Sequence, residues 1–209
     1  MAFTKHALVV AGALAASVIA AGPAAAAVIS FDFTGGGSAY VDNARTFTSD
    51  GLTVTARGYY LTGGGKNSAY LGHYSNGLGV KNHRFDSHTV DNWGRNDFVE
   101  FSFDAPVKVT NVILTVYGID GDISYNFGDL SNIKHHGDGS GGGIRDVALD
   151  WTEETELFRV FARLGHSNDS FKIRGLTVET ANVPEPAAIA LLGLGLAGLG
   201  AARRRRRTA

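Results

Sequence analysis

The sequence predicts an all-β protein: a single β-sandwich domain of jelly-roll type, flanked by an N-terminal signal peptide and a C-terminal transmembrane helix. Three observations lead there. Short runs rich in Val, Ile, Thr, Tyr and Phe recur between Gly, Asn and Asp clusters, the pattern of sandwiches and barrels rather than of alternating strands and helices. No amphipathic helical period stands out between residues 28 and 182. The strongly apolar stretches without strand alternation lie at the two ends of the chain.

At the N-terminus, Lys5 and His6 open a short positive region, Ala7 to Ala21 is apolar, and Pro23 precedes a segment ending Ala25-Ala26-Ala27. This is the layout of a secretory signal peptide, residues 1–27, cleaved before Val28 or one residue earlier. An uncleaved anchor is the alternative, disfavoured by the short apolar region and the small residues at its end.

Residues 28–182 form the exported body, 155 residues long and the size of one domain with a proper core. It holds 13 basic and 19 acidic side chains, a net charge of −6. Nucleic acid is therefore not an expected partner. There is no cysteine, which excludes disulfide staples and thiol nucleophiles alike.

Ten strands are expected: 29–33, 52–61, 69–74, 78–81, 98–103, 107–117, 122–127, 145–151, 157–164 and 171–179. Phe98, Phe101 and Phe103 cannot share one face without an irregularity near Val99, and Asp104-Ala105-Pro106 is expected to turn the chain. In the next strand Val107, Val109, Asn111 and Ile113 share a face, and both faces become apolar towards Tyr117, which places it centrally. In the last strand, Phe171 and Ile173 are out of phase with Leu176 and Val178, so a bulge at Gly175 is expected. The segment 150–164 admits a helical stripe but is better read as a polar turn followed by a strand.

Some loops could carry chemistry. Asp91-Asn92-Trp93-Gly94-Arg95-Asn96-Asp97, with Glu100 nearby, offers the hard oxygens that calcium takes, and equally the composition of an ordinary turn. Asp120-Gly121-Asp122-Ile123-Ser124 has alternating oxygen side chains, lacks the glycine and distal glutamate of an EF-hand loop, and reads as a hairpin connection, with calcium the alternative. His73, His83, His88 and the pair His135-His136 show no recognised zinc spacing, and the pair is expected in an exposed flexible loop. Gly63 to Ser68 reads as a hairpin tip, since it lacks phosphate-loop spacing. No residue is assigned a catalytic or metal-ligating role and no cofactor is expected, calcium being the open alternative. Tyr59, Tyr60, Tyr70, Tyr74, Trp93 and Tyr117 could line a sugar platform, with Trp93 the best single ligand contact. The competing expectation for most of them is burial in the core.

The stretch Gly77-Leu78-Gly79-Val80-Lys81-Asn82, followed by Val90-Asp91-Asn92-Trp93-Gly94-Arg95-Asn96-Asp97 and Phe98 to Phe103, resembles a pattern recurring in exosortase-dependent surface proteins. It covers about 40 residues and implies no activity.

The tail reads Val183-Pro184-Glu185-Pro186, then a 16-residue uncharged run from Ala187 to Ala202, then Arg203, Arg204, Arg205, Arg206 and Arg207. The prolines hold the entry extended. As a helix the run spans roughly 24 Å against about 30 Å of hydrocarbon. The arginines stay cytoplasmic and leave everything before Ala187 on the far side. A plain tail anchor would account for the run and the arginines, but not for Pro-Glu-Pro. The whole, residues 183–209, resembles the PEP-CTERM sorting signal of Gram-negative bacteria. That resemblance implies recognition by an exosortase, a membrane-embedded transpeptidase-like enzyme that cuts near the motif and passes the protein to the cell surface.

These readings add up to an exported, non-catalytic surface or matrix protein associated with exopolysaccharide. Its expected partners are the Sec machinery, signal peptidase, the membrane before processing, and the exosortase. A carbohydrate-binding module is the alternative, and a secreted glycan hydrolase a weaker one, since no nucleophile elbow or marked carboxylate pair is present.

Overall fold

β9 (Asn96–Val116), a 21-residue strand, organises the fold, because every large part of the sheet is built on it. The computed structural model describes residues 26–63, 65–128, 130–137 and 141–180, together with Gly193 and Gly195; side chains of 38–41 are not described. Residues 25–182 cluster as one compact unit. Residues 1–25 of the expected signal peptide, the sorting motif, the arginines and the apolar run apart from those two glycines, whose backbone is helical, lie outside the described residues. Among the described residues no helix is long and apolar enough to cross a membrane.

In chain order the strands are β1 (Val28–Asp32), β2 (Ser38–Asp42), β3 (Ala44–Ser49), β4 (Leu52–Thr62), β5 (Gly65–Ser68), β6 (Tyr70–Tyr74), β7 (Gly77–Lys81), β8 (Val90–Asp91), β9, β10 (Ile123–Phe127), β11 (Lys134–His136), β12 (Gly143–Ala148), β13 (Thr155–Ala162) and β14 (Ser170–Thr180). All-β is thus what the described residues of the body form. The expected pair of stacked sheets is not: the 14 strands belong to one hydrogen-bonded sheet, not closed into a barrel, with the path β11-β10-β13-β9-β14-β7-β6-β2. The first half of β9 pairs with β4 and β13, and its second half pairs with β14 and β12.

The expected turn at Asp104-Ala105-Pro106 is absent, and β9 runs straight through it. Pro106, which has no N–H to donate, sits where β9 passes from one set of partners to the other. Asp104 is exposed and accepts a hydrogen bond from the Thr53 amide at 2.9 Å. No irregularity occurs at Val99 either. Its ladders are continuous on both sides, and Phe98 simply faces the other way, stacked on Phe161 at 4.5 Å and Tyr59 at 5.3 Å.

A bulge expected nowhere in β9 occurs at Thr110, where the register with β14 slips between Thr177 and Val178. It moves the buried set from Val107 and Val109 to Val112, Leu114 and Val116. The bulge expected near Gly175 is present between Ile173 and Gly175, and it keeps Phe171, Ile173, Leu176 and Val178 all buried. The core joins both halves of the sheet: Phe33, just after β1, packs on Phe101 at 5.5 Å and Phe47 at 4.8 Å, and Phe31 packs on Phe103 at 6.3 Å.

β7 fits between β14 and the 82–89 loop only because it lacks side chains at two positions. A methyl group on Gly79 would lie 2.0 Å from the His88 carbonyl oxygen. Gly77, at φ +120°, would put one 2.4 Å from the Ile173 carbonyl oxygen. Gly79→Ala is therefore expected to lower stability by about 1–3 kcal/mol, as overpacking does, measured as a drop in the denaturation midpoint. An unchanged midpoint would mean that the 82–89 loop does not press on β7.

Candidate metal centre

Reversals of the chain bring two groups of carboxylates together from separate elements. The first uses the loop 82–89 after β7, then β8, then the start of β9. Asp86, Asp91 and Asp97 each place one carboxylate oxygen so that all three lie within 4.8 Å of one another. Asp86 shapes its loop by accepting from the Asn82 amide at 2.7 Å and the Ser87 amide at 2.8 Å. Asp91 accepts from the Trp93 amide and the Thr89 hydroxyl, both at 3.0 Å, and from the Ser87 hydroxyl. The Trp93 bond makes an Asx turn, and the others brace the loop around it.

Asp97 differs. It is fully buried; one carboxylate oxygen accepts from the Asn82 side-chain amide at 2.8 Å, and the other, Oδ2, is buried with no partner. The Asn82 Oδ1 is likewise buried and unpartnered. Burial, with the charges of Asp86 and Asp91 adding to it, pushes the Asp97 carboxyl up to about 9. Burial raises Asp91 as well. None of the three is held in an ion pair among the described residues.

The second group is Asp120, Asp122 and Asp169, with the same spacing limit of 4.8 Å. Asp120 and Asp122 belong to the link between β9 and β10, and Asp169 precedes β14. That link is not the expected hairpin connection, since β10 pairs with β11 and β13 and not with β9. Here a cation is already supplied: Arg163 forms an ion pair with Asp122. Asp169 accepts from Asn92 Nδ2 at 2.6 Å, its Oδ1 is buried without a partner, and burial raises it to about 6. Asn92, one residue after Asp91, ties the two groups to one region of the sheet.

Of the residues read from sequence, Asp91 and Asp97 do come together, but Glu100 does not join them. It lies three positions after Asp97 along a regular strand, so pleating turns it to the opposite face. There it meets Arg159 Nε at 2.6 Å and Lys66 Nζ at 2.9 Å. Asp86 and Asp169 went unmarked in the sequence because each comes from a different loop and carries no local motif. The spacing Asp86, Asp91, Asp97 is the one trace the first group leaves in the sequence.

The histidines contribute to neither group, both of which are carboxylate only. His135 and His136 form β11 instead of a loop, and His135 Nδ1 lies 2.7 Å from the Ser124 hydroxyl. The aromatic residues do not form one platform. Tyr59 stacks on Phe98 beneath Lys66, and Tyr60 packs against the core beneath Arg95. Tyr74 and Tyr117 flank Lys172. Tyr70 lines an open polar pocket of about 400 Å³ with Asp42, Asn43, Lys81 and Asn82. Trp93 is 82% exposed, on the loop between Asp91 and Asp97.

Residues 182–207 match the family model of the PEP-CTERM protein-sorting motif. The chain carries a PEP-CTERM sorting motif. Val183, Pro184, Glu185, Pro186 and the arginines Arg203 to Arg207 all fall inside the matched span. No curated protein and no solved structure matches the chain. The PEP-CTERM motif supports sorting by an exosortase to the cell surface or the extracellular space.

Proposed function

We propose that this is a non-catalytic surface or matrix protein, exported through the Sec machinery and held briefly in the inner membrane of a Gram-negative cell. An exosortase then releases it into exopolysaccharide. The observation that carries the reading is the PEP-CTERM motif with its arginine block. The short apolar run supports a transient span over a permanent one. A body of charge −6 suits a hydrated polysaccharide setting.

A second reading, a carbohydrate-recognition module, is favoured by the exposed indole of Trp93 and by the open pocket beside Tyr70. Co-sedimentation of the cell-derived protein with the producing strain's own exopolysaccharide tests both. Retention that Trp93→Ala weakens at least fivefold is expected for recognition through Trp93. Retention indifferent to Trp93 is expected for looser association with the matrix. No retention at high protein concentration would remove exopolysaccharide as a partner.

A further inference from the structure

We infer that Asp86, Asp91 and Asp97 form a calcium site that locks the loops on either side of β8. Oxygens within 4.8 Å of one another are close enough to ligate a single ion. Calcium accepts carboxylate and amide oxygens in a flexible sphere, whereas magnesium demands a near-ideal octahedron and gives up its waters reluctantly.

Two further observations point to a ligand rather than to a chance gathering of acids. Asp97 is fully buried at this cluster with Oδ2 unpartnered, whereas buried polar atoms nearly always find a partner. The Asn82 side chain, bonded to Asp97, adds a buried neutral oxygen that is also unpartnered. Among the described residues no ion pair answers Asp86, Asp91 or Asp97, on which Arg95 acts only through its charge, whereas Arg163 pairs directly with Asp122. Bound calcium would join the 82–89 loop, β8 and the start of β9 through three side chains from three segments. Trp93, whose amide already bonds Asp91, would be held in place from within. The sorting route and this site are independent, so failure of one leaves the other standing.

The test is thermal unfolding of the protein recovered from cells, stripped with chelator and then given 5 mM calcium or 5 mM magnesium. Extracellular calcium modules bind in the range of about 10⁻⁴–10⁻³ M, so calcium is expected to raise the Tm by roughly 3–10 °C, and magnesium by less than half as much. Asp97→Asn is expected to abolish the calcium shift. Asp86→Asn, at a half-buried position that folding tolerates more readily, should reduce it at least twofold. Asp120→Asn in the neighbouring cluster should leave it intact. No calcium shift in the parent protein, an equal shift with magnesium, or a full shift retained in both Asp86→Asn and Asp97→Asn would overturn the assignment.

Discussion

Replacing Pro184, Glu185 and Pro186 together by alanine is expected to cut surface and medium delivery at least tenfold, with full-length precursor collecting in the inner membrane. The substitution leaves the apolar run and the five arginines untouched, so insertion and orientation are unchanged. What it removes is the extended entry set by two prolines and the carboxylate between them. Three alanines favour helix at the same place, which would draw a recognition element outside the membrane into the span. Fractionation and immunoblotting read the outcome. Undiminished delivery would reduce the tail to a simple anchor, whatever the fate of the calcium site.

Arg159→Met should cost about 3–5 kcal/mol, the range for stranding one member of a buried ion pair. Arg159 and Glu100 are both almost fully buried and meet at 2.6 Å, and Arg159 also donates to the Gly128 carbonyl oxygen and, at 3.4 Å, to Asn126 Oδ1. Once Arg159 is gone, Glu100 keeps only Lys66, which is one-third exposed and contributes less. Methionine keeps most of the aliphatic volume, so the loss reports charge and not a cavity. Adding Glu100→Leu should restore much of the stability by removing the stranded carboxylate, and a double variant no better than the single one would contradict this.

The same pair sets part of the acid response. Burial alone would raise the Glu100 carboxyl, but hydrogen bonds and charge from Lys66 and Arg159 outweigh it and hold it below its ordinary value of 4.5. The folded value is the lower one, so its contribution is present above that ordinary value and is lost as pH falls through the folded one. Arg159→Met should therefore show a flatter decline in Tm below pH 5.

Much of the fold was legible because strand periodicity is local. β1, β4, β6, β7, β10, β12, β13 and β14 lie within a few residues of their expected positions. The strands that sequence reading missed are those whose signal is weak for a physical reason. β3 carries Thr and Ser on an edge with no fully buried residue, β5 is a polar hairpin arm, and β8 is only two residues long. β2 and β11 are held by pairing that no local pattern announces. One sheet replaced two because β9 crosses Pro106 without turning, a decision made by its partners on either side. In the site, Asp91 and Asp97 were visible in one loop, whereas Asp86 and Asp169 arrive through tertiary folding. The sorting motif was legible in the tail, since its signal lies in linear order and not in packing.

Intact mass of the protein from the cell surface and medium decides whether the chain is cargo with a removable address. The expected species begins at or next to Val28 and ends near Pro184–Pro186, without the apolar run and arginines. Cells lacking the exosortase should instead hold a membrane species that extends to Ala209. Mature surface protein that still carries Arg203 to Arg207, or the same mass with and without the exosortase, would contradict it.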